Sequence, residues 1–304
     1  MRTRVAVAAA AASAAAMSIK RHKETTLLTI GTDGGILSVR ERGARRSLML
    51  GSNCQGVIGI DSCGQPTNIH VEEWTQVIHA CADCWLQPLD RPKALFLGLG
   101  AGIVPRSLLA LNSTLSVLCV ELFPEVVAAA VSHFGVQLSE AARCSAHAED
   151  AGKFLVNRRA GESGDGYDLI VVDMFDGDGL AASLTDGHML RHLPSSLSGR
   201  GLVIINTTWG LDATARAATA HRLAHELTDS FDAVYTVEVC NCRNVLVLCH
   251  QGEPKDAEAW RRLLSTSLPR SVCVCPDVSL EACLPQAVVR VESGSSRSTA
   301  PLDL

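Results

Sequence analysis

Lys93-Ala94-Leu95-Phe96-Leu97-Gly98-Leu99-Gly100-Ala101-Gly102 is an apolar run that breaks into alternate glycines just ahead of a helical pattern over 104–111. A strand over 94–99, a Gly-rich turn and a helix form the opening unit of a doubly wound α/β sheet, and the chain repeats that alternation downstream. Strand-like runs follow at 115–121, 143–148, 167–173, 201–207, 233–239 and 244–249, with helical spacing at 124–133, 150–158, 186–197 and 211–230. Only Cys240 to Arg243 separate the last two strands, too few residues for a parallel crossover, so these two are expected to pair antiparallel.

Upstream, apolar runs between Leu27 and Asp61 are broken by Thr32-Asp33-Gly34-Gly35, Gly43 and Gly51-Ser52-Asn53, the punctuation of hairpins. Residues 24–70 therefore read as a small N-terminal β-hairpin appendage, and a helix over 71–86 leads into a core domain of 71–250. Residues 251–291 read as a C-terminal extension and 292–304, with Ser-Gly-Ser-Ser-Arg-Ser, as a disordered, solvated tail. Residues 1–23 are rich in Ala and Arg and lack acids, the composition of a mitochondrial or plastid transit peptide or of a disordered leader upstream of Met17. Without transit the expected compartment is the cytoplasm.

With 47% hydrophobic and 19% charged residues in 304, the composition is globular and excludes a coiled coil or a disordered chain. No run reaches the roughly 18 apolar residues of a membrane span, and the Ala-rich 5–17 is too weakly hydrophobic, so no membrane partner is expected. The net charge is −5, with +5 on residues 1–23 and −10 on the rest. An acidic body weighs against nucleic acid and favours cationic substrates. Of the 12 cysteines, Cys81-x-x-Cys84, Cys240-x-Cys242 and Cys273-x-Cys275 match no standard zinc spacing; reduced thiols and no metal are expected. His221/His225 and His188/His192 are spaced one helical turn apart and read as surface pairs.

Ligands of such sheets bind beyond the carboxyl ends of the strands, where strand order reverses. Four strand ends carry chemistry. Gly98, Gly100 and Gly102 let a ligand approach the backbone and the helix N–H groups. Glu121, ending the second strand 23 residues after Gly98, stands where an acid accepts ribose hydroxyls. Glu149-Asp150 after the third strand can meet an adenine amino group, and Asp150 can equally cap a helix. Asp173-Met174-Phe175-Asp176-Gly177-Asp178 places three carboxylates within six residues of a very apolar run, a density that packing does not need and that suits a cationic guest. Asn206-Thr207-Thr208 fits a glycosylation pattern without a secretory context.

Five helix-linked strands and a terminal hairpin give the order of the class I methyltransferase (Rossmann-like) fold. From about Leu27 to Cys249 the chain resembles the spermidine synthase (polyamine aminopropyltransferase) superfamily, closest to its methyltransferase-like branch. The resemblance rests on Gly98-Leu99-Gly100-Ala101-Gly102, Val120-Glu121-Leu122-Phe123-Pro124, Glu149-Asp150-Ala151 and the strand Tyr167 to Asp173, with Gln55 at the family's cofactor-contacting glutamine. It implies an adenosyl cofactor held by Gln55, Gly98, Gly100, Gly102, Glu121, Glu149, Asp150 and Asp173, with Asp173 and Asp176 catalytic and Phe175 and Asp176 at the acceptor. Departures bear on the reaction. The aminopropyltransferase loop has Asp where this chain has Ala101, and the family's Tyr-His-Glu falls on His70-Val71-Glu72. These changes resemble the methyltransferase branch, so S-adenosyl-L-methionine and an amine acceptor, protein or small molecule, are expected. Decarboxylated S-adenosylmethionine with polyamine synthesis is the alternative, and a catalytically silent scaffold a second. A homodimer is left open.

Overall fold

The computed structural model describes residues 23–157, 166–176, 179–180, 184, 187, 189–208, 213–239, 244–253, 259–260, 262 and 288–292. The expected leader and tail, apart from Lys23 and Glu292, lie outside the described residues, as do Cys240, Cys242, Cys273 and Cys275.

The chain opens with five strands, β1 (Thr25–Thr32), β2 (Gly35–Arg42), β3 (Arg45–Leu50), β4 (Asn53–Ile60) and β5 (Pro66–His70). They form one antiparallel meander, each strand paired with its sequence neighbour, which is larger than the expected hairpin appendage. One face is apolar. Leu37, Val39, Leu48 and Ile58 bury themselves against Ile103, Val126, Ala129 and Phe134 of the main domain, so the meander is a packed layer of the molecule.

There follow α1 (Glu73–Leu86), β6 (Lys93–Leu97), α2 (Ile103–Leu111), β7 (Ser116–Glu121), α3 (Pro124–Phe134), β8 (Cys144–Ala148), α4 (Ala151–Asn157) and β9 (Tyr167–Val172). Two-residue strands β10 (Phe175–Asp176) and β11 (Gly179–Leu180) pair with each other. Then come a 3₁₀ turn at Leu190–His192, α5 (Leu193–Ser196), β12 (Leu197–Thr208), α6 (Ala213–Leu227), β13 (Ala233–Glu238), β14 (Asn244–His250) and β15 (Val288–Val291). The helix expected over 186–197 is corrected: Pro194 in the first turn of α5 has no N–H to continue an earlier helix, and β12 begins at Leu197.

The main sheet runs β15-β13-β14-β12-β9-β6-β7-β8. β12, β9, β6, β7 and β8 are parallel, while β14 lies antiparallel between β12 and β13. β15 was not anticipated; it brings part of the C-terminal extension back onto the edge of β13. Alternation along the strands divides the core. Phe96, Cys119, Val171 and Ile204 face α1 and α2, whereas Leu95, Leu97, Val172 and Ile205 face α4 and α6. Strand order reverses between β6 and β9, which opens a crevice at their carboxyl ends. Among the described residues no helix is long and apolar enough to cross a membrane.

Candidate active site

Gly98 stands at the reversal, where β6 and β9 end side by side. The ladder continues past both strands, with Gly98 N–H donating to Val120 O (2.8 Å) and Asp173 N–H to Leu97 O (2.9 Å). At φ +91° a Cβ on residue 98 would lie 2.1 Å from the Asp173 carbonyl oxygen, so only glycine fits. Gly100, at φ +51°, makes the same accommodation for the N-terminal sheet: its Cβ would meet Gln55 O at 2.4 Å, and Ala101 N–H donates to that carbonyl at 3.3 Å. Gly102 caps α2 against Val136. Gln55 thus borders the Gly-rich loop from β4 through its backbone carbonyl.

Glu121 ends β7 and turns back on the loop. Its Oε2 accepts from the N–H groups of Leu99 (3.0 Å) and Gly100 (3.2 Å), its Oε1 from Phe123 N–H (3.2 Å). Next to this carboxylate Leu122 holds an apolar side chain 54% exposed. A carboxylate beside loop amides, with an exposed apolar neighbour, is a donor and acceptor set that fits a nucleoside: hydroxyls for the acid, a flat apolar base for the leucine. Asp150 fulfils the capping role, its Oδ1 accepting from Lys153 N–H at 2.8 Å. Glu149 is tied to this corner through its N–H to Glu121 O (3.0 Å), and its side chain lies 3.5 Å from exposed His147.

Across the crevice Asp173 follows β9, with Phe175 two residues on in β10; the side chain of Asp176 lies outside the described residues. Asp173 Oδ1 accepts from Asn206 Nδ2 (2.8 Å), and Asn206 Oδ1 in turn from Asn244 Nδ2 (2.8 Å). Removal from water pushes the Asp173 carboxyl up to about 6, against the Asn206 hydrogen bond and with help from the charge of Glu121. Glu72, at the N-terminal cap of α1, is a second acid here. Its Oε2 accepts from Val57 N–H (3.2 Å), and burial, aided by the charge of Asp173, raises it to about 7. Trp74, Thr75 and Ala101 share this crevice with Gln55, Gly98 and Asp173.

Two departures acquire a physical setting. Ala101 is buried, and a Cβ on Gly56 would lie 2.9 Å from its methyl. His70 lies off the crevice, fully buried with its Nε2 2.9 Å from Ser107 Oγ. Because that hydroxyl donates to Val104 O, His70 must donate to it. Burial next to His79 holds both imidazoles neutral, His70 well below its usual range and His79 at about 4. Among the described residues no three His, Cys, Asp or Glu gather as metal ligands, and His221 and His225 are exposed. Asn206, Asn244 and Trp74 were not singled out as site residues from the sequence. Asn206 ends an apolar strand as Asp173 does, and that signal was available.

A parallel sheet with a Gly-rich first turn, an acid ending the second strand and a buried acid following the fourth defines a doubly wound α/β protein with a crevice whose groups suit a nucleoside. Within that class the chain is similar in sequence to a polyamine aminopropyltransferase over part of its length and in fold to spermidine synthases. It is 33% identical over 115 residues to the polyamine aminopropyltransferase of Vibrio vulnificus (strain CMCP6), a match covering 38% of this chain and 37% of that one, so it spans little more than a third of the relative's length. In fold it is similar to a probable spermidine synthase from Corynebacterium glutamicum (TM-score 0.65, 15% identity, 88% of this chain and 90% of that one). It is also similar to human methyltransferase-like protein 13 in complex with SAH (TM-score 0.53, 18% identity, 67% and 92%). No protein-family model matches the chain.

Proposed function

We propose that the chain is an S-adenosyl-L-methionine-dependent methyltransferase acting on an amine, carried by a protein lysine or N-terminus or by a small molecule. The observation that carries this reading is Ala101, a buried methyl against Gly56 where the aminopropyltransferases that the chain resembles have an acid. An acid there suits the free amine of a decarboxylated cofactor; a methyl leaves room for a carboxylate. Glu121 would take the ribose hydroxyls, the glycine loop the methionine portion, and Glu149 and Asp150 the adenine edge.

When bound, S-adenosyl-L-methionine supplies a methyl carbon made electrophilic by its sulfonium sulfur. The chain's part is to hold an uncharged amine in line with that carbon and to accept the proton it sheds. Asp173 is the acceptor for that proton: raised to about 6, it is ionised at neutral pH and close enough to neutrality to exchange protons with an amine. Phe175 and Asp176 are assigned to the mouth through which the amine enters, and the Phe175 face suits a cationic nitrogen.

A second reading, aminopropyl transfer to a polyamine, is favoured by Glu72 beside Asp173, a second acid for a diamine, and by the name of the Vibrio relative. Calorimetric titration of the full chain with S-adenosyl-L-methionine and with its decarboxylated form separates the two. Tighter binding of the carboxylated form is expected; preference for the decarboxylated form moves the assignment to aminopropyl transfer, and binding of neither leaves a silent scaffold.

A further inference from the structure

Asn206 begins a tripeptide that reads as a glycosylation site, yet it is 1% exposed and both ends of its amide are engaged. The sheet explains where it sits. Ile205 pairs with Val172 between parallel β12 and β9, which puts Asn206 abreast of Asp173. Thr208 pairs with Asn244 between antiparallel β12 and β14, and since side chains two apart share a face, Asn244 projects on the same side as Asn206. Three adjacent strands thus line up Asn244, Asn206 and Asp173 in one row that runs from the interior to the crevice, where Asp173 lines it, on the face that α1 covers.

We propose that Asn206 and Asn244 are positioning residues for Asp173, forming a two-amide relay that commits one of its carboxylate oxygens and leaves the other to the acceptor amine. This rests on the reading of Asp173 as the group that handles that amine. The polarity of the row is set by chemistry. A carboxylate only accepts, so Asn206 must present its NH2 to Oδ1 of Asp173. That leaves Oδ1 of Asn206 facing β14, where Asn244 Nδ2 fills it at 2.8 Å. If Asn244 were absent, the buried amide of Asn206 could turn over and aim a carbonyl at the carboxylate.

The relay also has an electrostatic task. The acids that face Asp173 are Glu72 from the start of α1, itself raised by the charge of Asp173, and Glu121 from the end of β7, whose charge favours the neutral form of Asp173. Asn206 is the counterweight, a donor held in place by a second residue that does not touch Asp173. Among the described residues no hydrogen bond reaches Oδ2 of Asp173, so that oxygen faces the crevice uncommitted.

The test is a ¹³C carboxyl titration of Asp173 in the full chain, its resonance assigned by loss in Asp173→Asn. Asn206→Ala should raise the midpoint by about 1–2 pH units, the worth of a hydrogen bond to a charged group. Asn244→Ala should raise it by less, and adding Asn244→Ala to Asn206→Ala should change nothing further, because the outer residue acts only through the inner one. An unmoved midpoint in Asn206→Ala, or an undiminished effect of Asn244→Ala in its absence, overturns the relay. Should Asn206→Ala not fold, Asn206→Ser is read by the same criteria. The acid limb of the rate profile should follow the midpoint; a limb that stays while the midpoint moves overturns the role of Asp173 and leaves the relay standing.

Discussion

The two walls of the crevice are made differently. The β6–β7 wall is made largely of backbone: Gly98 and Gly100 are admitted because neighbouring carbonyls press on them, and Glu121 is held by three main-chain N–H groups. The β9–β12 wall is made of side chains, Asp173, Asn206 and Asn244, with Glu72 brought in from α1. A wall of backbone tolerates little and is written in short motifs. A wall of side chains can change its chemistry without changing the fold; the departure from the aminopropyltransferases that the chain resembles, Ala101, sits in the glycine loop of the first wall.

The harshest way to break that comparison is Gly98→Ala. With a Cβ 2.1 Å from Asp173 O it strains both walls at once, and destabilisation by about 3 kcal/mol with loss of cofactor binding is expected, read by denaturant unfolding and calorimetry. Asp173→Asn touches the side-chain wall alone. Turnover should fall by a factor on the order of 10²–10⁴ while cofactor affinity stays within a few-fold; unchanged turnover would remove Asp173 from the chemistry. Its pH dependence follows from the raised carboxyl: the base is present above about pH 6 and lost below, so rates fall as pH drops through 6. Ala101→Asp should shift preference toward decarboxylated S-adenosylmethionine by about tenfold, and an unaltered ratio would deny residue 101 its discriminating role.

The smallest effect is on stability. Glu72 is raised to about 7 in the fold against about 4.3 unfolded, so its contribution is fully present below pH 4 and lost as pH rises through 7. Glu72→Gln should therefore be more stable than the parent at pH 8, by about 1 kcal/mol, with the advantage shrinking as pH falls and gone below pH 4. The buried histidines act in the opposite sense. His70 and His79 have depressed values, so stability falls as pH drops below 6.5 and unfolded chains take up the protons.

What was legible in the sequence follows the same division. Gly98 to Gly102, Glu121 and Asp173 announce themselves because the strand end that carries each is local, and the class of fold came from their order. Asn206 and Asn244 lie 38 residues apart and meet only because β14 inserts between β12 and β13, an order that hydrophobic periodicity does not encode. Glu72 meets Asp173 only once α1 lies across the sheet. The helix expected over 186–197 is a 3₁₀ turn followed by the single turn of α5 over 190–196, because Pro194 has no N–H to continue the hydrogen-bond ladder, and β15 is only four residues, too short for its apolar run to stand out at the end of the extension.

The carbonyl of Gln55 reaches from one sheet into the glycine loop of the other. The shape of the loop is therefore a joint property of two layers, and melting either one removes the support of the other. Heat or denaturant should take the molecule apart in a single cooperative transition. Amide protons of β4 should also exchange more slowly when ligand fills the crevice, so the N-terminal layer reports occupancy at a distance from the reacting atoms.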